Sequence, residues 1–182
     1  MRTIIFSVCV FTAACSGQGL NSPTSPTAAT AAPVQTQAQS GTQLPFRGSY
    51  IGETTGAVNC PPTCPPTLLT VSGSHTGEAT HLGRFTATSV DEVNLASTAS
   101  TGTFRFTAAN GDQLLTETTG SEDEFIPPNI SRVTLIATIV GGTGRFAAAT
   151  GTFTLRFTGT IDFASATSSL TGSFDGYINL NK

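Results

Sequence analysis

From Phe46 onward the chain is written in short runs where apolar residues alternate with Thr, Ser or Arg, and glycines punctuate the runs. Thr103-Phe104-Arg105-Phe106-Thr107 has a period of two, and Asn110-Gly111 offers the φ > 0 turn of a tight hairpin into a second run at 113–119. Similar runs at 47–55, 67–74, 79–88, 131–140, 152–161 and 168–180 bring the expected number of strands to eight. In the run at 152–157, Phe153, Leu155 and Phe157 share one side while Thr152, Thr154 and Arg156 share the other, which predicts one buried and one wet face. The run at 133–140 is apolar on both faces, so it is expected to be covered on both, as a central strand or at an oligomer interface. Eight antiparallel strands with few long connections stack as a sandwich or close into a barrel. Closure removes the exposed edges that one lysine, Lys182, and few in-strand prolines would protect poorly, so the barrel is expected.

Composition sharpens this picture. Residues 46–182 contain 26 threonines, and the whole chain is only 10% charged with a net charge of -3. Thr-rich, charge-poor sequence suits pleated surfaces and makes helices scarce. Scattered basic residues on an acidic chain exclude nucleic acid as a partner class. The first residues carry a different message. Met1-Arg2 is a short positive start, and residues 3–14 form an uncharged, mostly apolar run too short to span a bilayer as a helix. Residues 1–14 therefore read as an export signal. The run ends Phe11-Thr12-Ala13-Ala14-Cys15, which resembles the lipobox cleaved by the lipoprotein signal peptidase of bacteria, with Thr12 where Leu is more usual. The resemblance implies a lipidated Cys15 and a partner in the membrane itself, since each buried methylene contributes about 0.8 kcal/mol and two or more acyl chains anchor stably. The protein is expected in the cell envelope.

Residues 15–45 follow the signal with Ser, Thr, Ala, Gln, Pro and Gly and no charge, a composition that cannot bury enough apolar surface to offset chain entropy. They read as a flexible tether to a single domain, 46–182. Of the four cysteines, Cys9 lies in the signal and Cys15 at the lipid site, leaving Cys60 and Cys64 to pair outside the cytosol. Their setting, Cys60-Pro61-Pro62-Thr63-Cys64-Pro65-Pro66, predicts a stapled loop rather than a redox or metal site.

Other candidate chemistry is thin. His75, Glu78 and His81 would form a metal set only if a turn brought them together, and no fixed ligand spacing is present, so neither a metal nor another cofactor is expected. Ser121-Glu122-Asp123-Glu124 lacks a calcium-loop pattern and reads as a solvated loop. Glu117 is the acid best placed to point into a barrel, although an outward direction fits the sequence equally well; Tyr50 and Tyr177 are the other inward candidates. No serine sits in a Gly-x-Ser-x-Gly elbow with identifiable partners. Asn129-Ile130-Ser131 matches a glycosylation sequon, but a bacterial export signal argues against its use.

One stretch carries a resemblance. Gly141-Gly142-Thr143-Gly144-Arg145-Phe146-Ala147-Ala148-Ala149-Thr150-Gly151 resembles the Gly-Gly-Thr-Gly-x-Phe turn of the allene oxide cyclase and dirigent barrel superfamily, and residues 79–85 with the turn at 109–112 resemble bacterial secreted relatives. The resemblance implies an all-β, eight-stranded antiparallel calycin-like barrel with an apolar interior, trimeric in many plant members. It carries no catalytic residue across, because the matched residues Gly141, Gly142, Thr143, Gly144, Phe146 and Gly151 form a turn. The resulting expectation is an envelope-tethered, non-catalytic barrel lipoprotein that binds a small hydrophobic ligand or serves cell-surface interactions. The alternatives are a cyclase-like or dirigent-like enzyme guiding closure or coupling of a hydrophobic intermediate, and a purely structural homo-oligomer.

Overall fold

The structure is a computed structural model that describes residues 42–58 and 67–180. The proposed signal, Cys15, nearly all of the tether and the Cys60–Cys64 pair lie outside the described residues. Eight strands follow one another: β1 (Gln43–Val58), β2 (Leu68–Ala79), β3 (Gly83–Asn94), β4 (Ala99–Ala108), β5 (Gln113–Ile126), β6 (Ile130–Gly142), β7 (Thr150–Asp162) and β8 (Thr167–Asn179), with a 3-10 turn at Gly144–Phe146. Each pairs antiparallel with its neighbours in sequence, and β1 also pairs with β8, from Gln43↔Asn179 to Thr55↔Thr167. The sheet is a closed barrel.

Closure gives the period-two pattern an inside and an outside. Phe46, Phe85, Phe106, Phe153 and Phe174 fill the lower half, with ring centroids 5.0 Å apart for Phe46 and Phe153 and 5.1 Å for Phe153 and Phe174. Aromatic pairs at these spacings contribute about 0.5–1.5 kcal/mol each beyond area burial. Leu82 from the β2–β3 turn and Phe146 from the 3-10 turn close this end, both buried. The outer wall carries Thr, Ser and Arg, as on β7, where Arg156 is exposed opposite buried Phe153 and Leu155. A polar wall around an apolar filling is the reverse of a lipid-facing barrel. No helix among the described residues is long and apolar enough to cross a membrane.

The glycine-rich turn that suggested the barrel superfamily has a mechanical part. Gly141, Gly144 and Gly151 take φ of 122°, 55° and 146°, values that favour glycine. Thr143 accepts the Gln113 N–H on its hydroxyl at 2.9 Å and donates its own N–H to the Gln113 carbonyl at 2.8 Å. The Arg145 N–H reaches the Asp112 carboxylate at 3.4 Å, and a Cβ at Gly144 would collide with that carboxylate. The turn thus clamps the β4–β5 hairpin onto the β6–β7 connection.

Three expectations change. The third strand begins at Gly83 rather than 79, because Ala79 ends β2 and His81 turns the chain with φ of 63°. The acidic run at 121–124 belongs to β5, paired with β6 across a register shift between Glu122 and Glu124; Asp123 accepts the Thr134 hydroxyl, and Glu124 meets Arg132 at 2.6 Å. Strand β6 is covered on one face only: Leu135, Ala137 and Ile139 are buried, while Ile136 and Val140 are more than half exposed on the outer wall.

The clamp predicts unequal costs for two turn glycines. Gly111, φ 88°, has open space around its Cβ position, so Gly111→Ala should cost only the backbone strain, about 1 kcal/mol. Gly144→Ala adds displacement of Asp112 and should cost at least about 2 kcal/mol. Urea midpoints at constant m-value compare them; equal losses would show that the Asp112 contact adds nothing.

Candidate functional site

Above the phenylalanine floor the inward positions become polar. Tyr50 on β1, His75 on β2, Ser89 and Asp91 on β3, Ser100 on β4 and Thr116 and Thr118 on β5 all face inward and are buried. His75 Nε2 pairs with the Ser89 hydroxyl at 3.0 Å, and the Thr118 hydroxyl donates to Asp91 Oδ1 at 3.1 Å. The His75 ring stacks on Phe104 at 5.3 Å and meets Tyr50 edge-on at 5.7 Å.

The chain makes room for this layer by omitting neighbouring side chains. A Cβ at Gly52 would strike His75 Nδ1, and one at Gly73 would lie 2.6 Å from His75 Nε2 and 2.7 Å from the Ser89 hydroxyl. A Cβ at Gly102 would hit Asp91 Oδ1, and one at Gly172 would lie 2.5 Å from Tyr50 Cζ. Glycine in a strand costs roughly 0.5–1 kcal/mol relative to alanine. Four strands therefore give up packing so that three polar side chains fit inside.

Satisfaction of the layer is incomplete. The Tyr50 hydroxyl and His75 Nδ1 are buried without a hydrogen-bond partner. A buried polar group left so costs about 1–3 kcal/mol, and such groups call for a specific reason. Burial pushes His75 down to about pKa 4, leaving it neutral at pH 7. Burial pushes the Asp91 carboxyl up to about 6, with the Thr118 hydroxyl pulling the other way. The Tyr50 phenol is raised well above its ordinary range by burial first and the Asp91 charge second. Every arginine among the described residues lies on the outer side, so Asp91 has no cationic partner inside.

The end of the barrel beyond this layer differs from the sealed one. Leu69, Val71, Val93, Val133 and Phe157 face inward there yet are only half-buried. They form an apolar mouth above the polar floor.

Of the side chains singled out in the sequence, Tyr50 belongs to this layer; Glu117 is exposed on the outer wall, and Tyr177 lies on the outer face of β8 between inward Gly176 and Ile178. His75 points inward, Glu78 lies on the opposite face of β2 and His81 sits in the turn, so the three do not assemble. Among the described residues no three His, Cys, Asp or Glu side chains form a metal-holding group. Asn129 donates its amide to the Ile161 carbonyl at 3.1 Å and serves the rim of the fold. Residues Gly141, Gly142, Thr143, Gly144, Phe146 and Gly151 lie at the sealed end, away from the polar layer. Asp91, Ser89 and Thr118 were not singled out. Their signal is the alternation Phe85-x-Ala87-x-Ser89-x-Asp91, in which an inward phenylalanine fixes the face of everything that follows.

No protein-family model matches the chain. No curated protein matches it. Among solved structures it is similar to a pterocarpan synthase dirigent protein, with 13% identity and a TM-score of 0.39 over 80% of this chain and 92% of that one. The closed barrel itself stands on the strand pairing.

Two opposed titrations follow from the layer. Asp91 rises from 3.8 to about 6 on folding, so its contribution is full below about pH 4 and is lost as pH climbs to 6. His75 falls from 6.5 to about 4, so its contribution is full above pH 6.5 and is lost as pH drops to 4. Each changes stability by up to about 1.4 kcal/mol per pH unit, and the two largely cancel between pH 4 and 6 in the native protein. Asp91→Asn should expose the histidine slope, with stability rising by about 2 kcal/mol from pH 4 to 6.5, and His75→Gln should expose the opposite slope. Urea unfolding at half-unit pH intervals reads both; parallel profiles for the two variants would contradict the assignment.

Proposed function

We propose that the domain is a non-catalytic barrel that binds a small, mostly apolar molecule at its open mouth, held at the cell envelope by lipid on Cys15. The observation that carries the binding part is the buried Tyr50 hydroxyl, unpartnered on a polar floor beneath half-buried Leu69, Val71, Val93, Val133 and Phe157. Small-molecule sites combine an apolar lining with a few polar groups that fix orientation, and this end of the barrel has both. The phenylalanine filling of the lower half confines any ligand to the upper half. The Cys15 part rests on the lipobox resemblance and on the uncharged tether composition after it.

A guiding enzyme is the second reading, favoured by an inward carboxylate and an inward phenol, Asp91 and Tyr50, on one floor. Such chemistry needs a shaped dry cavity more than a nucleophile. It differs from the first reading by requiring turnover of a bound reactant.

Tyr50→Phe separates function from stability. Removing an unpartnered buried hydroxyl should leave stability unchanged or raise it by about 1 kcal/mol, while binding of an apolar ligand with a polar head weakens several-fold. The chain contains no tryptophan, so Phe157→Trp supplies a reporter in the mouth for fluorescence titration. Loss of stability in Tyr50→Phe with binding unchanged would contradict the proposed site. For the anchor, Cys15→Ala should move the exported protein from the membrane fraction to the soluble fraction; retention with membranes would remove the lipid from the proposal.

A further inference from the structure

The charge inside the barrel selects among apolar ligands. Asp91 is 8% exposed, its Oδ1 accepts one hydroxyl and its Oδ2 has no hydrogen bond from any described residue. A carboxylate offers about four acceptor positions, so Asp91 is left short of donors. The Tyr50 hydroxyl, buried and unpartnered, lies in the field of the same carboxylate. His75 stays neutral because burial disfavours its charged form, and it is held flat against the Phe104 ring. No arginine among the described residues faces inward, so the floor offers negative charge, neutral hydrogen-bonding groups and aromatic rings.

Resting on the binding reading above, we infer that the mouth takes a lipophilic amine in its protonated form, with the ammonium on Asp91 and beside the Tyr50 hydroxyl and the apolar body against Val71, Val93, Val133 and Phe157. An ammonium supplies up to three N–H donors to a floor that lacks them, and aromatic faces attract cations. A fatty acid or other anion would bring a second negative charge against Asp91 in a water-poor setting, where repulsion is poorly screened. An alcohol would supply one donor and no charge. A charge-assisted hydrogen bond is roughly twice as strong as a neutral one, which sets the expected order of affinity as amine, then alcohol, then carboxylate.

Three probes of equal chain length, dodecylamine, dodecanol and dodecanoate, titrated at pH 7 against the full mature Phe157→Trp protein, read this order directly. The amine should bind about tenfold tighter than the alcohol, with the carboxylate weakest. Asp91→Asn should bring amine and alcohol within about twofold of each other and improve the carboxylate. Thr118→Val removes the hydroxyl beside Asp91 while keeping the charge, and should preserve the amine preference. Alcohol or carboxylate binding as tightly as the amine would overturn the inference while leaving the binding site standing. An amine preference that survives Asp91→Asn would place the ammonium elsewhere and also overturn it. Failure of all three probes would remove the binding reading together with the inference.

Discussion

Pairing of β1 with β8 is the constraint on which everything else depends. Until the sheet closes, a period-two strand has two faces and two exposed edges; once it closes, one face becomes an interior that must be filled or opened at an end. The sequence fills one half with five phenylalanines and caps it with Leu82 and Phe146. That apolar mass drives folding through burial, at about 25 cal/mol per Å² of apolar surface, and leaves the other half free to carry a less stable arrangement.

That arrangement is costly by design. Three polar side chains occupy space vacated by glycines on β1, β2, β4 and β8, and two polar atoms remain unpartnered. A core optimised for stability alone would place valine or leucine at such positions. The exchange of packing for polarity is concentrated at the level next to the half-exposed apolar mouth and absent from the sealed end. Local violation of packing rules at a site, supported by regular construction elsewhere, is the usual mark of a functional region.

The barrel was legible from residues because its signals are local and repeated. Alternation in Thr103-Phe104-Arg105-Phe106-Thr107, the Asn110-Gly111 turn and the Gly141–Gly151 segment each specify backbone geometry without reference to distant contacts. The polar floor was only partly legible. Tyr50 was visible as an inward candidate, whereas Asp91 hid behind a continuous polar stretch, Ser89-Val90-Asp91-Glu92, whose facing depends on a register begun at Phe85. Glu117 shows the same dependence in reverse: its neighbours Thr116 and Thr118 are both small, polar and buried, so the outward acid and the inward hydroxyls read alike in one dimension. Strand β2 offers no large apolar residue between Val71 and Ala79, which left His75 without a visible facing.

A polar floor left incomplete for a bound molecule is the centre of this interpretation, and a high-resolution crystal structure of the gently purified mature protein tests it most directly. Non-protein density within the mouth, reaching the Tyr50 hydroxyl and Asp91, is the expected result. A mouth plugged by the protein's own side chains, with the Tyr50 hydroxyl and His75 Nδ1 both hydrogen-bonded to protein, would contradict it.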